Sequence, residues 1–345
     1  MKLVAVGDAY ITSEMMLKNV DEFEFITDAK VFYFGEKDRG QMRNTVKLIE
    51  SGKRDLLQLP EGLLENLREA EILMVHLCPV TQKVLDAAPN LKYVLCNRGG
   101  VENIDVEALN KRNITLVHNP AHNANAVAEL TVGLMIAETR NIARANYALK
   151  NNIWREKFPN SKYFVRELKH LTVGIIGFGS VGRLVAEKLK SFGCDILICD
   201  PYLELAAHDV ITGKFVNLDE LLKKSDVITL HARGNSYILD EKEFEKMKST
   251  AYVINTARPH LINTKVLLEY LKNNKILGAA VDVFESEPNI PKEYCELDNI
   301  TLTNHRGSDT LESYSDSPKM MLDNLMEFLN GGKLKFWYNK KILVK

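Results

Sequence analysis

Gly177-Phe178-Gly179-Ser180-Val181-Gly182 follows the apolar run TVGII and opens the helix-like stretch VGRLVAEKLKSFG. Glycines at this spacing recur by chance, so the flanking strand and helix patterns carry the argument. The first glycine permits a tight turn, the second lets backbone approach a pyrophosphate, and the third lets helix and strand pack closely. The helix N-terminus adds unpaired N–H groups and partial positive charge, so Gly177, Gly179, Ser180, Val181 and Gly182 are expected to hold a dinucleotide. Asp200 closes the next apolar run, at about the ~20-residue distance where a carboxylate accepts from the adenosine ribose hydroxyls. It would repel a 2′-phosphate, and neither Pro201 nor Tyr202 offers a compensating cation, which selects NAD over NADP.

Further chemistry-bearing residues stand at the carboxyl ends of later apolar runs: His231-Ala232, Thr256-Ala257-Arg258, Asp282 and His305. In an open α/β sheet that edge forms the ligand crevice, so residues far apart in sequence converge beside the cofactor. Dehydrogenation of an alcohol needs a base for the hydroxyl proton, a cation for a carboxylate or developing oxyanion, and NAD as hydride acceptor. His305, Arg258 and a glutamate supply these parts. A histidine titrates near ~6.5 when unperturbed, and a carboxylate partner stabilises its imidazolium. Glu285 and Glu287 both qualify as that partner, and spacing alone does not choose between them.

The elements that must position these residues form two series. Short runs LVAVG (3–7), VFYFG (31–35), ILMVH (72–76), KYVLC (92–96) and ITLVH (114–118) read as five buried parallel strands with room for crossover helices between them. The first of them ends in Gly7-Asp8-Ala9-Tyr10, with no glycine-rich loop. From Asn123 a helical period extends over more than twenty residues to Asn152, placing one long helix as a bridge between domains. A second series, LTVGII (171–176), DILICD (195–200), DVITLH (226–231), AYVINT (251–256), ILGAAVDVF (276–284) and NITLTNH (299–305), predicts six parallel strands. Asn217 or Asp219 caps one intervening helix and Asn263 another. The segment SPKMMLDNLMEFLNGG reads as an amphipathic helix with Pro318 in its first turn and Gly331 past its end, returning to pack on the N-terminal series.

Composition agrees with an ordinary globular enzyme. The 345 residues predict two domains. With 45 Lys plus Arg against 46 Asp plus Glu there is no overall basic field for nucleic acid or an anionic membrane. The first apolar run is too short for a signal-peptide core and no run approaches a membrane span, so the cytoplasm is expected. Cys78, Cys96, Cys194, Cys199 and Cys295 show no metal-site spacing, and no metal is expected.

Taken together, NRGGVENIDVEAL (97–109), NPAHNANAVAELTVGLM (119–135), GFGSVG with Asp200, ITLHA (228–232), VINTAR (253–258), AAVDVFESEP (279–288) and LTNH (302–305) resemble the NAD-dependent D-2-hydroxyacid dehydrogenases, in the branch of D-3-phosphoglycerate dehydrogenase. The resemblance implies an α/β fold of two doubly wound parallel-sheet domains, a Rossmann cofactor domain (121–307) inserted into a flavodoxin-like substrate domain (1–120 plus 308–345). It implies two connecting helices around a cleft that closes on substrate, and a homodimer. It gives Arg258 the substrate carboxylate and 2-oxo group, makes His305 the general acid–base, and selects Glu287 over Glu285 as its partner. Asp282 would bind the nicotinamide carboxamide, with His231, Ala232, Thr256 and Ala257 also lining the cofactor. Backbone N–H groups at Gly99, Gly100 and Val101 would cradle the substrate carboxylate.

Three departures fall at the pocket rim. Pro259 stands where the family usually has Gly, Asn304 where it has Pro, and ARGNSYILD follows His231 in place of a proline-containing loop. The arginine that phosphoglycerate-specific members use is absent around LMVHLCPVT, leaving His76, Arg98 and Arg306 as candidate contacts to a distal polar group and favouring a small 2-oxo acid over a phosphorylated one. A serine-sensing C-terminal domain is not expected. A formate-dehydrogenase-like activity is disfavoured because those members have Gln at the Glu287 position. The alternative from another class is a non-catalytic NADH-sensing protein of corepressor type, which can retain the same residues.

Overall fold

The computed structural model describes residues 1–203 and 213–340. The chain divides into two compact units, Met1–Asn123 with the segment from Thr310 onward, and Ala124–Asp309. Of the expected 308–345 segment, the last five residues lie outside the described set.

The first unit is built on β1 (Lys2–Gly7), β2 (Asp28–Tyr33), β3 (Ile72–Val75), β4 (Tyr93–Cys96) and β5 (Thr115–His118), all parallel in the order β2-β1-β3-β4-β5. This is the flavodoxin-like order, and the apolar runs of the sequence are its strands. Side chains alternate across a strand. Val4, Val6, Leu73 and Val75 pack on one side with Met42 and Leu63, while Leu3, Ala5, Ile72 and Met74 pack on the other with Met16 and Phe23. The helix Ser317–Leu329 brings Met321, Leu322 and Leu325 to that second side, with Pro318 in its first turn and Gly331 just past its end at φ 88°. Only a residue tolerant of positive φ suits that stop.

The second unit holds β6 (Thr172–Ile176), β7 (Asp195–Cys199), β8 (Lys214–Phe215), β9 (Val227–Leu230), β10 (Tyr252–Asn255), β11 (Gly278–Val281) and β12 (Ile300–Leu302). They are parallel, in the order β12-β11-β10-β9-β6-β7-β8. The order reverses between β6 and β9, the switch point at which dinucleotides bind in such sheets. β8 corrects the expectation of six strands: with two residues and one neighbour, it presents too short a pattern to read. Asn217 and Asn263 cap their helices as expected, accepting from Glu220 N and from Lys265 N and Val266 N.

The single long helix expected from Asn123 is two, Ala124–Thr139 and Ile142–Lys150, both in the second unit. Asn141 breaks them with φ 57°, a left-handed conformation that asparagine tolerates. A buried ion pair from Arg144 to Glu138, 2.6 Å, spans the break. Glu138 also accepts from Thr301 Oγ1 at 2.6 Å. The spacing of apolar residues does not record such a break, because one left-handed residue redirects the backbone without altering the sequence pattern. Among the described residues no helix is long and apolar enough to cross a membrane.

Candidate active site

The glycine-rich turn leaves β6 as the sequence predicts. Gly177 has φ 92°, and a Cβ there would lie 2.6 Å from Ala232 N. A Cβ on Gly182 would lie 2.2 Å from Gly177 O, while one on Gly179 would meet nothing within 4 Å. Two glycines are therefore needed for packing and the middle one for an open face. The helix Ser180–Lys190 starts there without a side-chain cap, leaving its first N–H groups, at Ser180, Val181 and Gly182, for a ligand. Asp200 follows β7, its carboxylate accepting from Phe178 N at 2.7 Å and Tyr202 N at 3.0 Å. A carboxylate has about four acceptor positions, so capacity remains for ribose hydroxyls. These residues fit NAD.

Four loops, beyond β9, β10, β11 and β12, carry the remaining candidates of the second unit. His231 donates its backbone N–H to Ile176 O, which fastens the loop after β9 beside the glycine turn. Its ring Nε2 meets Thr229 Oγ1 at 3.0 Å, and its buried Nδ1 has no partner among the described residues. Burial lowers the His231 pKa to about 3, so the ring is neutral. Beyond β10, Thr256 Oγ1 lies 2.7 Å from Thr131 Oγ1, tying the loop to the helix Ala124–Thr139. Asn255 Oδ1 accepts from Ala257 N at 3.0 Å, and Asn255 Nδ2 donates to Arg258 O at 2.9 Å. The Arg258 guanidinium is exposed, and among the described residues its one hydrogen bond goes to Ala257 O.

Asp282 is buried at 1% exposure, and its carboxylate organises the turn that carries the histidine. It accepts from Thr303 Oγ1 at 2.6 Å, Arg306 N at 2.8 Å and Gly307 N at 2.9 Å. Its backbone oxygen accepts from His305 N at 2.9 Å. These bonds hold His305 at φ 54°, a conformation costly for any residue with a Cβ. His305 Nδ1 then donates to Glu287 Oε2 at 2.8 Å, while Glu287 Oε1 accepts from Phe284 N at 2.9 Å. Burial raises the Glu287 carboxyl, but the His305 bond, the Phe284 N–H and the nearby Arg258 charge outweigh it and hold it below the usual range. Glu287 is thus ionised, acceptor-only, and fixes the histidine with Nε2 free among the described residues. Glu285 makes no such contact. Arg306 pairs with Asp309 at 2.6 Å.

In the first unit, Gly99, Gly100 and Val101 follow β4. No hydrogen bond among the described residues uses their N–H groups, whereas Gly99 O accepts from His118 Nδ1 at 2.8 Å and Val101 O from Ile104 N at 2.9 Å. The carbonyls are spent and the donors are not, which suits an anion. Arg98 lies near Glu102, 3.5 Å, and His76 is bonded to Asp8.

Sequence reasoning missed Asn255 and Thr303, which lock the Arg258 and His305 loops. An asparagine ending a strand before a turn was the available signal for the first.

The profile described as "D-isomer specific 2-hydroxyacid dehydrogenase, NAD binding domain" matches residues 132–307. A glyoxylate reductase of Thermofilum pendens is 37% identical over 294 residues, covering 82% of this chain and 85% of that one. A D-3-phosphoglycerate dehydrogenase of Methanocaldococcus jannaschii is 36% identical over 277 residues, covering 79% of this chain and 52% of that longer one. Among solved structures, a glyoxylate reductase from Paecilomyes thermophila aligns over 99% of each chain at 25% identity, with a TM-score of 0.68.

Proposed function

The chain belongs to the D-isomer-specific 2-hydroxyacid dehydrogenase family of NAD-dependent oxidoreductases, and from that premise we propose that it interconverts a 2-oxo acid and a D-2-hydroxy acid through His305, Glu287 and Arg258. NAD supplies the hydride acceptor and, reduced, the hydride donor. His305 Nε2 gives a proton to the carbonyl oxygen in reduction and takes it back in oxidation. Glu287 keeps the ring oriented and stabilises its charged form. Arg258 binds the carboxylate and polarises the carbonyl, a role its planar donor fork suits. Gly99, Gly100 and Val101 offer N–H groups to the substrate carboxylate, and Gly177, Gly179, Ser180, Val181, Gly182, Asp200, Ala232, Ala257 and Asp282 belong to the cofactor side.

The observation that carries this reading is the His305 Nδ1 to Glu287 Oε2 bond at 2.8 Å, beside an arginine close enough to lower the same carboxylate. The test is to incubate the protein with NADH and glyoxylate, hydroxypyruvate, pyruvate, 2-oxoglutarate and phosphohydroxypyruvate. NADH loss with formation of a hydroxy acid of D configuration, resolved by chiral chromatography, is expected. An L product or no NADH loss overturns the reading.

The working form is a homodimer in the cytoplasm. Tyr147, Trp154 and Phe164, exposed at 72%, 81% and 84%, are large apolar side chains of the second unit that suit burial against a second copy. Five unpaired cysteines suit a reducing compartment. Light scattering in solution tests the dimer.

A further inference from the structure

The loops after β9 and after β10 carry the departures from the family pattern, and the part of the first loop beyond Ala232 has no role in the chemistry above. β9 and β10 are parallel neighbours with Leu230 in register with Asn255. Arg233 and Arg258 therefore each stand three residues beyond a matched pair, on strands about 4.8 Å apart. The two loops are fastened together past that point. His260 Nε2 bonds to the Gly234 carbonyl, and the N–H groups of Ile238 and Leu239 both reach Leu261 O, at 2.8 and 3.1 Å. At its start the first loop is pressed against the glycine turn, since Ala232 N would lie 2.6 Å from a Cβ on Gly177. The chain thus runs from the phosphate cradle toward Arg258 and is clamped there.

Both guanidinium groups are available. Arg233 is exposed and, among the described residues, has neither an ion pair nor a hydrogen bond. Arg258 bonds only to the neighbouring Ala257 carbonyl. The Glu287 carboxylate, which the Arg258 charge influences, already has both oxygens engaged, by His305 and Phe284 N. One bidentate arginine is enough for the carboxylate of a 2-oxo acid. A second, on the adjoining loop, is surplus for a singly charged acid.

We propose that Arg233 recognises a second acidic group on the substrate, so that the preferred substrates are 2-oxo acids bearing another carboxylate or a phosphate ester. His260 is a positioning residue that holds the Arg233 loop beside Arg258. This rests on the dehydrogenase reading above and specifies its substrate class.

The experiment measures kcat/KM at saturating NADH for pyruvate, oxaloacetate, 2-oxoglutarate and phosphohydroxypyruvate in the natural chain and in Arg233→Gln, Arg233→Lys and His260→Gln, each checked for an unchanged melting transition. The natural chain is expected to prefer at least one doubly charged acid over pyruvate, and which one separates carboxylate from phosphate. Arg233→Gln lowers that preference roughly tenfold or more. Arg233→Lys restores part of it, keeping the charge but not the fork, and His260→Gln falls between. An unchanged preference in Arg233→Gln overturns the proposal. So does a uniform loss on all acids with weaker NADH binding by fluorescence titration, which would place Arg233 on the cofactor phosphates. If the natural chain binds NADH and reduces none of the acids, the dehydrogenase reading itself fails and this inference with it.

Discussion

Each unit of the molecule contains one histidine bonded through Nδ1 to a carboxylate, and the two pairs have nearly the same length. His76 meets Asp8 at 2.9 Å in the first unit, and His305 meets Glu287 at 2.8 Å in the second. Their surroundings differ. The Asp8 side chain is 0% exposed and accepts three backbone N–H groups, from Tyr10, Ile11 and Leu77. Burial raises the Asp8 carboxyl, but His76 and the backbone donors outweigh it and hold it low. The His305 and Glu287 side chains are 50% and 35% exposed, and the histidine sits on a turn held at positive φ by a third, buried carboxylate. The same hydrogen bond thus ties β1 to the exit of β3 in one unit and presents a proton-carrying nitrogen in the other. Exposure and a neighbouring exposed arginine, rather than the pair itself, distinguish the proposed reactive site.

The comparison can be broken at several points. The largest effect is expected from Arg258→Gln, which takes the cation from the exposed pair and lowers kcat/KM by about 10³-fold, within the range seen when a transition-state donor is removed. His76→Ala should act on stability instead. It leaves a buried carboxylate with backbone donors alone and costs about 3 kcal/mol, read as a lower urea midpoint. Because Asp8 titrates lower in the folded chain than unfolded, its stabilisation is complete above the unfolded value of ~3.9 and is lost as pH falls through the folded one. Glu287→Gln, which removes the charge that favours protonated imidazole, is expected to cost about tenfold in turnover. Unchanged turnover in this variant would remove Glu287 from the proton transfer.

At neutral pH the smallest effect belongs to a histidine in neither pair. His231 is held neutral with a folded value of about 3, against ~6.5 unfolded, so the unfolded chain binds the extra proton between these values. Stability is full above the unfolded value and declines by about 1.4 kcal/mol per pH unit as pH falls toward the folded one. Urea midpoints of His231→Gln should show a correspondingly flatter acid slope.

Much of this was legible because parallel strands announce themselves as short apolar runs, and because chemistry gathers where those runs end. The glycine turn, Asp200, Arg258 and His305 were all visible in that way. Choosing Glu287 over Glu285 was not possible from spacing, since both lie on the loop after β11 and only its fold decides which carboxylate meets the ring. The role of Asp282 in shaping the His305 turn was hidden for a similar reason: its partners, Arg306 N and Gly307 N, are backbone groups without a sequence signature. β8 and the break at Asn141 escaped because a two-residue edge strand and a single left-handed residue leave the hydrophobic pattern intact. The His260 contact to Gly234 joins two loops by register between strands, which no local pattern records.

The most direct test of the account is the turnover of His305→Ala beside the natural chain, with NADH affinity measured on both by fluorescence titration. The account predicts unchanged NADH binding and a loss of turnover of about 10²–10⁴-fold on whichever 2-oxo acid the natural chain reduces. Turnover near that of the natural chain would contradict it and remove His305 from the proton transfer.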